Sequence, residues 1–162
     1  MAEWRVGHGY DVHRLTAGRR LVIGGVEIEH HMGLDGHSDA DVLLHAIMDA
    51  LLGAAGLGDI GQHFPPSDRA YKDVVSLDLL QQVGRLVRAA GYKTIVNIDA
   101  TIMAERPRMA PHVPTMRQRI AKTLSIEMSR VNIKATTTEE LGFVGREEGM
   151  VAEAVCLIAS DD

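Results

Sequence analysis

Asp11 and His13 stand two apart in the opening segment GHGYDVH (residues 7–13), and His45 lies further along inside an apolar run. On a β-strand a spacing of two puts both side chains on one face, roughly 6–7 Å apart along the chain, within reach of one ion. His45 has Asp41 and Asp49 four residues to either side, a spacing that places all three on one stripe of a helix. Ionisable groups on a buried stripe are costly unless paired or bound to metal. Asp49 suits the role of holding the far ring nitrogen of His45, as carboxylates do behind metal-bound imidazoles. Asp11, His13 and His45 together offer one oxygen and two nitrogens, and three protein ligands with an open fourth position are what a catalytic zinc centre requires. The same donors accept manganese, cobalt or iron. The glycines of the segment do not make a dinucleotide loop, because Val12 stands where the third glycine belongs and no long helical pattern follows.

Two further stretches carry chemistry. In GLDGHSDAD, His37 and Ser38 directly precede the apolar run, so a helix starting there would offer free backbone N–H groups to a phosphate, with Ser38 also able to cap. In IKATTTEELGFVGREEG, Thr136, Thr137 and Thr138 can present hydroxyls and N–H groups to phosphate oxygens, and Glu139 can serve a harder cation such as magnesium. The same residues also read as β-branched strand filling followed by a helix capping box from Thr136 to Glu139. Between these stretches, GLGDIGQHFPPSD (residues 56–68) is a Gly- and Pro-rich loop whose Asp59 either binds a sugar hydroxyl or makes a turn.

These residues need elements to hold them. RRLVIGGVEIEH has two short apolar runs about Gly24-Gly25, a hairpin signal. SDADVLLHAIMDALLGAAGLGD begins with cap-type Ser38 and Asp39, ends at glycines and is apolar on nearly every face, so it reads as a buried helix. SLDLLQQVGRLVRAAG places Leu79, Leu80, Val83, Leu86 and Val87 at helical spacing and stops at Gly91. TIVNIDATIMAE alternates Val96, Ile98, Ala100 and Ile102 with polar residues, the strand period. A third helix follows from Pro111 to Leu124, and RVNIKATTT and GMVAEAVCLIA read as strands. The succession of strand, hairpin, two helices, strand, helix and two strands makes a layered α+β domain.

The 162 residues suit one domain over 1–162, with 46% apolar and 24% charged residues. A net charge of −5 without any run of Lys or Arg argues against nucleic-acid binding. The apolar segments are too short or interrupted for a membrane span. The single cysteine, Cys156, lies in an apolar run and has no internal partner, and no stretch reads as a signal peptide, so a reducing cytoplasm is expected.

GHGYDVH, HSDADVLLHAIMDALLGAAGLGDIG, FPPSD, ERPRM and NIKATTTEELGFVGREEG, in this order, resemble the family of 2-C-methyl-D-erythritol 2,4-cyclodiphosphate synthases over essentially the whole chain. The similarity is to the single-function form, with no cytidylyltransferase domain ahead of it. The resemblance implies a phosphorus–oxygen lyase of the non-mevalonate isoprenoid route that converts 4-diphosphocytidyl-2-C-methyl-D-erythritol 2-phosphate into the cyclic diphosphate and CMP. It implies a two-layer α+β sandwich with a mixed sheet covered by helices on one face, a ferredoxin-like core plus a β-hairpin, assembled as a homotrimer with active sites between subunits. Zinc would sit on Asp11, His13 and His45, and magnesium or manganese on Glu139. His37 and Thr137 match positions that stabilise the transition state, with Ser38 beside them. Asp59, Ile60, Gly61, Phe64, Pro65 and Asp68 match the loop at the methylerythritol end. Ala104, Pro107, Arg108, Met109, Thr136 and Thr138 match the cytidine diphosphate pocket. Phe143 and Arg146 match a central cavity that can hold an isoprenoid diphosphate. Pro66-Ser67 departs from the family's frequent Asp-Thr, and no role is carried over to that pair. Two other uses of the same residues remain at this level: a metal-dependent phosphohydrolase, and a trimeric scaffold that senses isoprenoid diphosphates.

Overall fold

How closely a helix can lie on a strand depends on what stands between their backbones. The computed structural model describes residues 1–161, and its first strand, β1 (Trp4–Ala17), carries Gly7 and Gly9 on the face that meets helix α1 (Val42–Ala54). A Cβ at Gly7 would stand 1.9 Å from the carbonyl oxygen of Ala50, and one at Gly9 would stand 1.8 Å from that of Ala46. The glycines are therefore docking sites for a ridge of Ala46, Ala50 and Ala54, spaced four apart on the helix. Apart from Asp49 and Gly53, every residue of α1 is buried, as its apolar composition requires.

Between β1 and α1 run β2 (Leu21–Ile23), β3 (Val26–Ile28) and β4 (Met32–Leu34). β2 and β3 form the expected hairpin, with Gly24 and Gly25 at φ of 61° and 73°, the left-handed pair that a two-residue turn of this hand demands. β4 was not legible in the sequence. It is three residues long and pairs with the end of β1. After α1 come the short α2 (Ile60–His63), α3 (Ser76–Ala89), β5 (Thr94–Met103), α4 (Val113–Leu124), β6 (Val131–Thr136), the short α5 (Gly142–Gly145) and β7 (Gly149–Ala159).

The main sheet has the order β4-β1-β7-β5-β6, and β5–β6 is its one parallel pair. α1 packs on β1 and β7, α4 on β6, and α3 against both helices, so the helices form one layer. On the opposite face Trp4, Val6, Tyr10 and Val12 of β1 and Val155 of β7 are exposed. The expected two-layer α+β sandwich with a mixed sheet is therefore present. The ferredoxin-like connectivity is not: that arrangement runs βαββαβ, whereas here the core runs βααβαββ and α4 is the crossover joining the adjacent parallel strands β5 and β6.

Local details differ from the sequence reading; α4, for one, starts at Val113 rather than Pro111. α1 begins at Val42, not after Ser38-Asp39, because Ala40 turns the chain at φ 55° and Asp41 takes the cap, accepting from the Leu44 N–H at 3.0 Å. The fully buried Asp41 carboxylate also accepts from the Gly24 and Gly25 N–H groups at 2.9 and 2.7 Å, which ties the hairpin turn to the helix start. Burial and the charge of Asp39 push the Asp41 carboxyl up to about 6, against the pull of these three donors. In β5, a bulge between Ile95 and Asn97 shifts the alternation, so Ile95 and Ile98 both face the core and Val96 is only half-buried.

Two stability predictions follow from these contacts. Gly9→Ala forces α1 away from β1 and is expected to cost about 1–3 kcal/mol or more, read as a lower midpoint of urea unfolding. Asp41→Ala strands three backbone donors and removes a cap, for an expected loss of about 2–4 kcal/mol by the same measurement.

Candidate functional site

Beyond Gly7 and Gly9, the helix-facing side of β1 continues through Asp11 and His13 and meets the first turn of α1, where His45 points back at them. The Asp11 Oδ2 atom lies 2.9 Å from His13 Nε2 and 3.0 Å from His45 Nδ1, and the two ring nitrogens are 3.2 Å apart. The three side chains are the group in the described residues whose donor atoms converge as metal ligands would.

The second nitrogen of each ring shows what the converging atoms are. His13 Nδ1 is 2.8 Å from the carbonyl oxygen of Asp35, which can only accept, so the proton is on Nδ1 and Nε2 presents a lone pair. His45 Nε2 is 3.2 Å from Ser76 Oγ, whose hydroxyl donates through a short hydrogen bond to Asp39 Oδ1. The serine oxygen therefore accepts from His45 Nε2, leaving the Nδ1 lone pair turned to the centre. A second hydroxyl, Ser38 Oγ, lies 3.3 Å from the same nitrogen and accepts from the Ala40 N–H. With both rings neutral, three lone-pair atoms thus face one another, an arrangement that a bound cation relieves. In a tetrahedral centre with bonds of about 2.0–2.1 Å the donors stand about 3.3 Å apart, a few tenths wider than found here. The donor set fits a divalent ion.

With protons rather than an ion among these atoms, the same groups pair as a carboxylate and its imidazole donors. Burial alone would raise the Asp11 carboxyl, but hydrogen bonds and charge from His13 and His45 outweigh it and hold the group at about 2. Burial would lower His13, yet Asp11, the Asp35 carbonyl and the charge of Asp41 raise it above the usual histidine range.

Asp49 does not hold His45. Its Oδ1 accepts from the Ile60 N–H at 2.9 Å and so anchors α2 instead, while burial keeps its carboxyl above the usual range. Asp41 likewise turns to the hairpin. The group behind His45 is Ser76 with Asp39, 37 residues apart, whose carboxylate also accepts from the Ser76 N–H at 2.9 Å and thereby caps α3. Nothing in the sequence marked Ser76 beyond its place at a helix start.

The triad opens on a cavity of about 300 Å³ lined by His37, Ser38, Ile60, Gly61 and Phe64 among the residues singled out above. Pro66, Tyr71, Val74 and Leu79 complete its wall and give one end an apolar character; Tyr71 stands edge-on to Phe64 with ring centroids 5.3 Å apart. Asp59 makes a turn: it caps α2 by accepting from the Gln62 N–H at 3.0 Å. Asp68 does the same for the turn at 69–71, accepting from the Ala70 N–H, and Pro65 belongs to the connecting loop. His37 is exposed and four residues ahead of the α1 cap, so it does not sit at a helix N-terminus as the sequence reading expected. Its loop is held by Arg19, which donates to the carbonyls of Gly36 and Ser38 at 3.1 and 2.9 Å, and by the Asp73 N–H, which donates to the carbonyl of His37 at 2.9 Å.

The other residues form a second cluster at the ends of β5 and β6. Ala104 donates its N–H to the Thr136 carbonyl at 3.0 Å, which sets the segment of Ala104, Pro107, Arg108 and Met109 beside Thr136, Thr137, Thr138 and Glu139. No helix starts at Thr137, so the capping-box reading fails. Thr137 Oγ1 instead accepts from the Glu139 N–H at 3.2 Å, and Thr138 Oγ1 donates to the Leu141 carbonyl at 2.8 Å. The register runs Val12, Val151, Met103, Thr136 across the sheet, so this cluster stands three strand spacings, about 14 Å, from the strand that bears the triad. Within one chain the two clusters do not meet. Phe143, with Val12, Arg14 and Glu148, borders another hollow, and Arg146 pairs with Glu148 at 3.2 Å.

Fold and site thus define an α+β protein with a candidate three-ligand metal centre open to a cavity. The chain belongs to the YgbB family, whose model matches residues 4–159. It is 64% identical over 154 residues to the 2-C-methyl-D-erythritol 2,4-cyclodiphosphate synthase of Syntrophomonas wolfei, covering 95% of this chain and 98% of that protein. Among solved structures it is similar to the bifunctional IspDF from Campylobacter jejuni, with 44% identity and a TM-score of 0.95, all of this chain matching 44% of the longer one. It is also similar to the CDP complex of IspF from Plasmodium falciparum, at 30% identity and a TM-score of 0.86 over 98% of this chain and 97% of that one.

Ser76→Ala leaves the three donors in place but removes the closer of the two hydroxyls that hold the His45 ring. Its divalent-metal affinity is expected to fall by roughly 10–100-fold, measured for zinc by competition with a chromogenic chelator.

Proposed function

We propose that this chain converts 4-diphosphocytidyl-2-C-methyl-D-erythritol 2-phosphate into 2-C-methyl-D-erythritol 2,4-cyclodiphosphate and CMP. The observation that carries the reading is the convergence of Asp11, His13 and His45 at the mouth of a cavity with an apolar end, in a chain so similar to named synthases. In this reaction an oxygen of the substrate's own 2-phosphate forms a bond to the β-phosphorus, and the bond from that phosphorus to the bridging oxygen breaks, so that CMP leaves with the bridge. The reaction needs no protein nucleophile and takes up no water.

The work of the protein is then to fold the substrate and manage charge. Orientation in such an intramolecular attack is worth roughly 7–11 kcal/mol. Ile60, Phe64, Tyr71 and Leu79 enclose the methyl-bearing carbon chain and exclude water, with Gly61 beside Ile60 in the wall and Asp59, Pro65 and Asp68 shaping the turns around it. When bound, zinc or a similar ion on Asp11, His13 and His45 and magnesium or manganese on Glu139 supply Lewis acidity that offsets the phosphate charges. His37 and Thr137 direct donors at the reacting phosphates, and Ser38 steadies both the His37 loop and His45. Ala104, Pro107, Arg108 and Met109, with Thr136 and Thr138, take the cytidine diphosphate end.

A complete site needs both clusters, and one chain holds them about 14 Å apart. We therefore assign the active form as a homotrimer in which the triad of one subunit faces the Thr136–Glu139 loop of the next. The exposed apolar face of Trp4, Val6, Tyr10, Val12 and Val155 supports burial against neighbouring copies. Phe143 and Arg146 would then lie near the axis, suited to an isoprenoid diphosphate. Among the described residues no helix is long and apolar enough to cross a membrane, and the lone buried Cys156 accords with a cytoplasmic enzyme.

Phosphorus NMR of the product made in heavy-oxygen water tests the reaction. A cyclic diphosphate without solvent oxygen is expected, and an open-chain bisphosphate carrying it would instead mark a hydrolase. His45→Ala is expected to lose bound zinc and to slow turnover by roughly a thousandfold or more; full zinc occupancy in that variant, by metal analysis, would overturn the assignment.

A further inference from the structure

The loop after β6 is held in an unfavourable backbone conformation at the point where it presents Glu139. Glu139 and its neighbour Glu140 have φ of 53° and 62°, two successive side-chain-bearing residues in the left-handed region. Each is disfavoured by roughly 1–2 kcal/mol against ordinary backbone, and such conformations persist only where the surroundings enforce them. The turn is closed by its own Leu141 N–H, which donates to the Thr138 carbonyl at 2.9 Å, and by the Thr137 and Thr138 hydroxyls, and a further group holds it from another segment. Glu105, two residues beyond the end of β5, accepts from the Thr138 N–H through Oε2 at 3.1 Å and from the Glu140 N–H through Oε1 at 3.0 Å. Its Oε2 is also 3.4 Å from Thr138 Oγ1. One carboxylate thus spans Glu139 and closes on the residue before it and the residue after it.

We propose that Glu105 is a positioning residue that fixes the Glu139 carboxylate for its divalent cation, and that it acts by locking the left-handed turn. This rests on the reading of Glu139 as a ligand of the cation bound with the diphosphate. The chemistry of the clamp is particular to a carboxylate. Two converging N–H donors need two acceptors, and an amide would turn an NH₂ group toward one of them. Hydrogen bonds to a charged acceptor are also the stronger kind. Holding the loop in advance means that the ordering entropy of residues 138–140 is not lost again when the cation and diphosphate arrive.

The test measures Mg²⁺ binding to the zinc-loaded, CDP-saturated protein by calorimetry, with zinc content determined for every variant. Glu105→Ala is expected to weaken Mg²⁺ binding about tenfold and Glu105→Gln about threefold, with zinc content unchanged; a tenfold loss is about 1.4 kcal/mol. Asparagine tolerates the left-handed region, so Glu140→Asn in the Glu105→Ala background is expected to recover part of the loss. Lack of recovery, or a loss of zinc in Glu105→Ala, would overturn the clamp. Glu139→Gln separates the two levels. If it weakens Mg²⁺ binding while Glu105→Ala does not, the clamp falls and the ligand reading stands. If neither variant changes Mg²⁺ binding, the ligand reading falls and the clamp with it.

Discussion

The close approach of α1 to β1 is the constraint on which the candidate site depends. Gly7, Gly9, Asp11 and His13 occupy alternate positions on one face of a single strand, and Ala54, Ala50, Ala46 and then His45 run back along the helix opposite them. The first half of each row removes side chains so that the backbones can touch. The second half uses the resulting proximity to bring three donor atoms within 3.2 Å of one another. A helix held at the usual distance by larger residues would leave His45 too far from the strand to share an ion. The segment GHGYDVH is thus one device, with packing at its start and ligation at its end.

Around that contact, charged side chains hold backbone rather than pair with one another. Asp41 gathers the hairpin turn and the start of α1. Asp39 caps α3 and orients Ser76 behind His45. Arg19 grips the carbonyls on either side of His37, and Glu105 grips the N–H groups on either side of Glu139. Each fixes a short irregular segment that has no ladder of its own, and buried or half-buried backbone groups must find partners somewhere. The candidate site loops are therefore ordered from outside, by side chains on other segments.

The sheet divides the functional residues into two sets. The triad and its cavity lie on the helix-covered side near β1, and the Thr136–Glu139 loop lies at the far edge beyond β5. The uncovered face between them is apolar along β1 and charged toward β6, where Lys134 pairs with Asp99 at 2.7 Å. An isolated chain shows a candidate metal centre and a separate threonine-rich loop, and the proposed assembly is what would join them.

The strand spacing of Asp11 and His13, the buried character of α1 and the Gly24-Gly25 turn were all legible in the residues themselves, because period and turn chemistry are local properties. The residue types likewise offered Asp11, His13 and His45 as one donor set, and the resemblance to the synthases implied the same three. Other features depended on partners distant in the chain. Asp49 stood at the right helical spacing to support His45, but the N–H of Ile60 claimed it, and Ser76 took the place through a contact spanning 31 residues. Ser38 and Asp39 had the chemistry of helix caps, but Asp41 made the cap once the hairpin turn supplied two more donors for its carboxylate. Thr136 and Glu139 had capping-box spacing, yet Glu105 and the threonine hydroxyls stabilised a left-handed turn instead. The sequence by itself determined which residues were able to bond; only the tertiary structure decided which of several capable partners were brought together, because a hydrogen bond needs both short distance and alignment, and these are set by segments far apart in the chain.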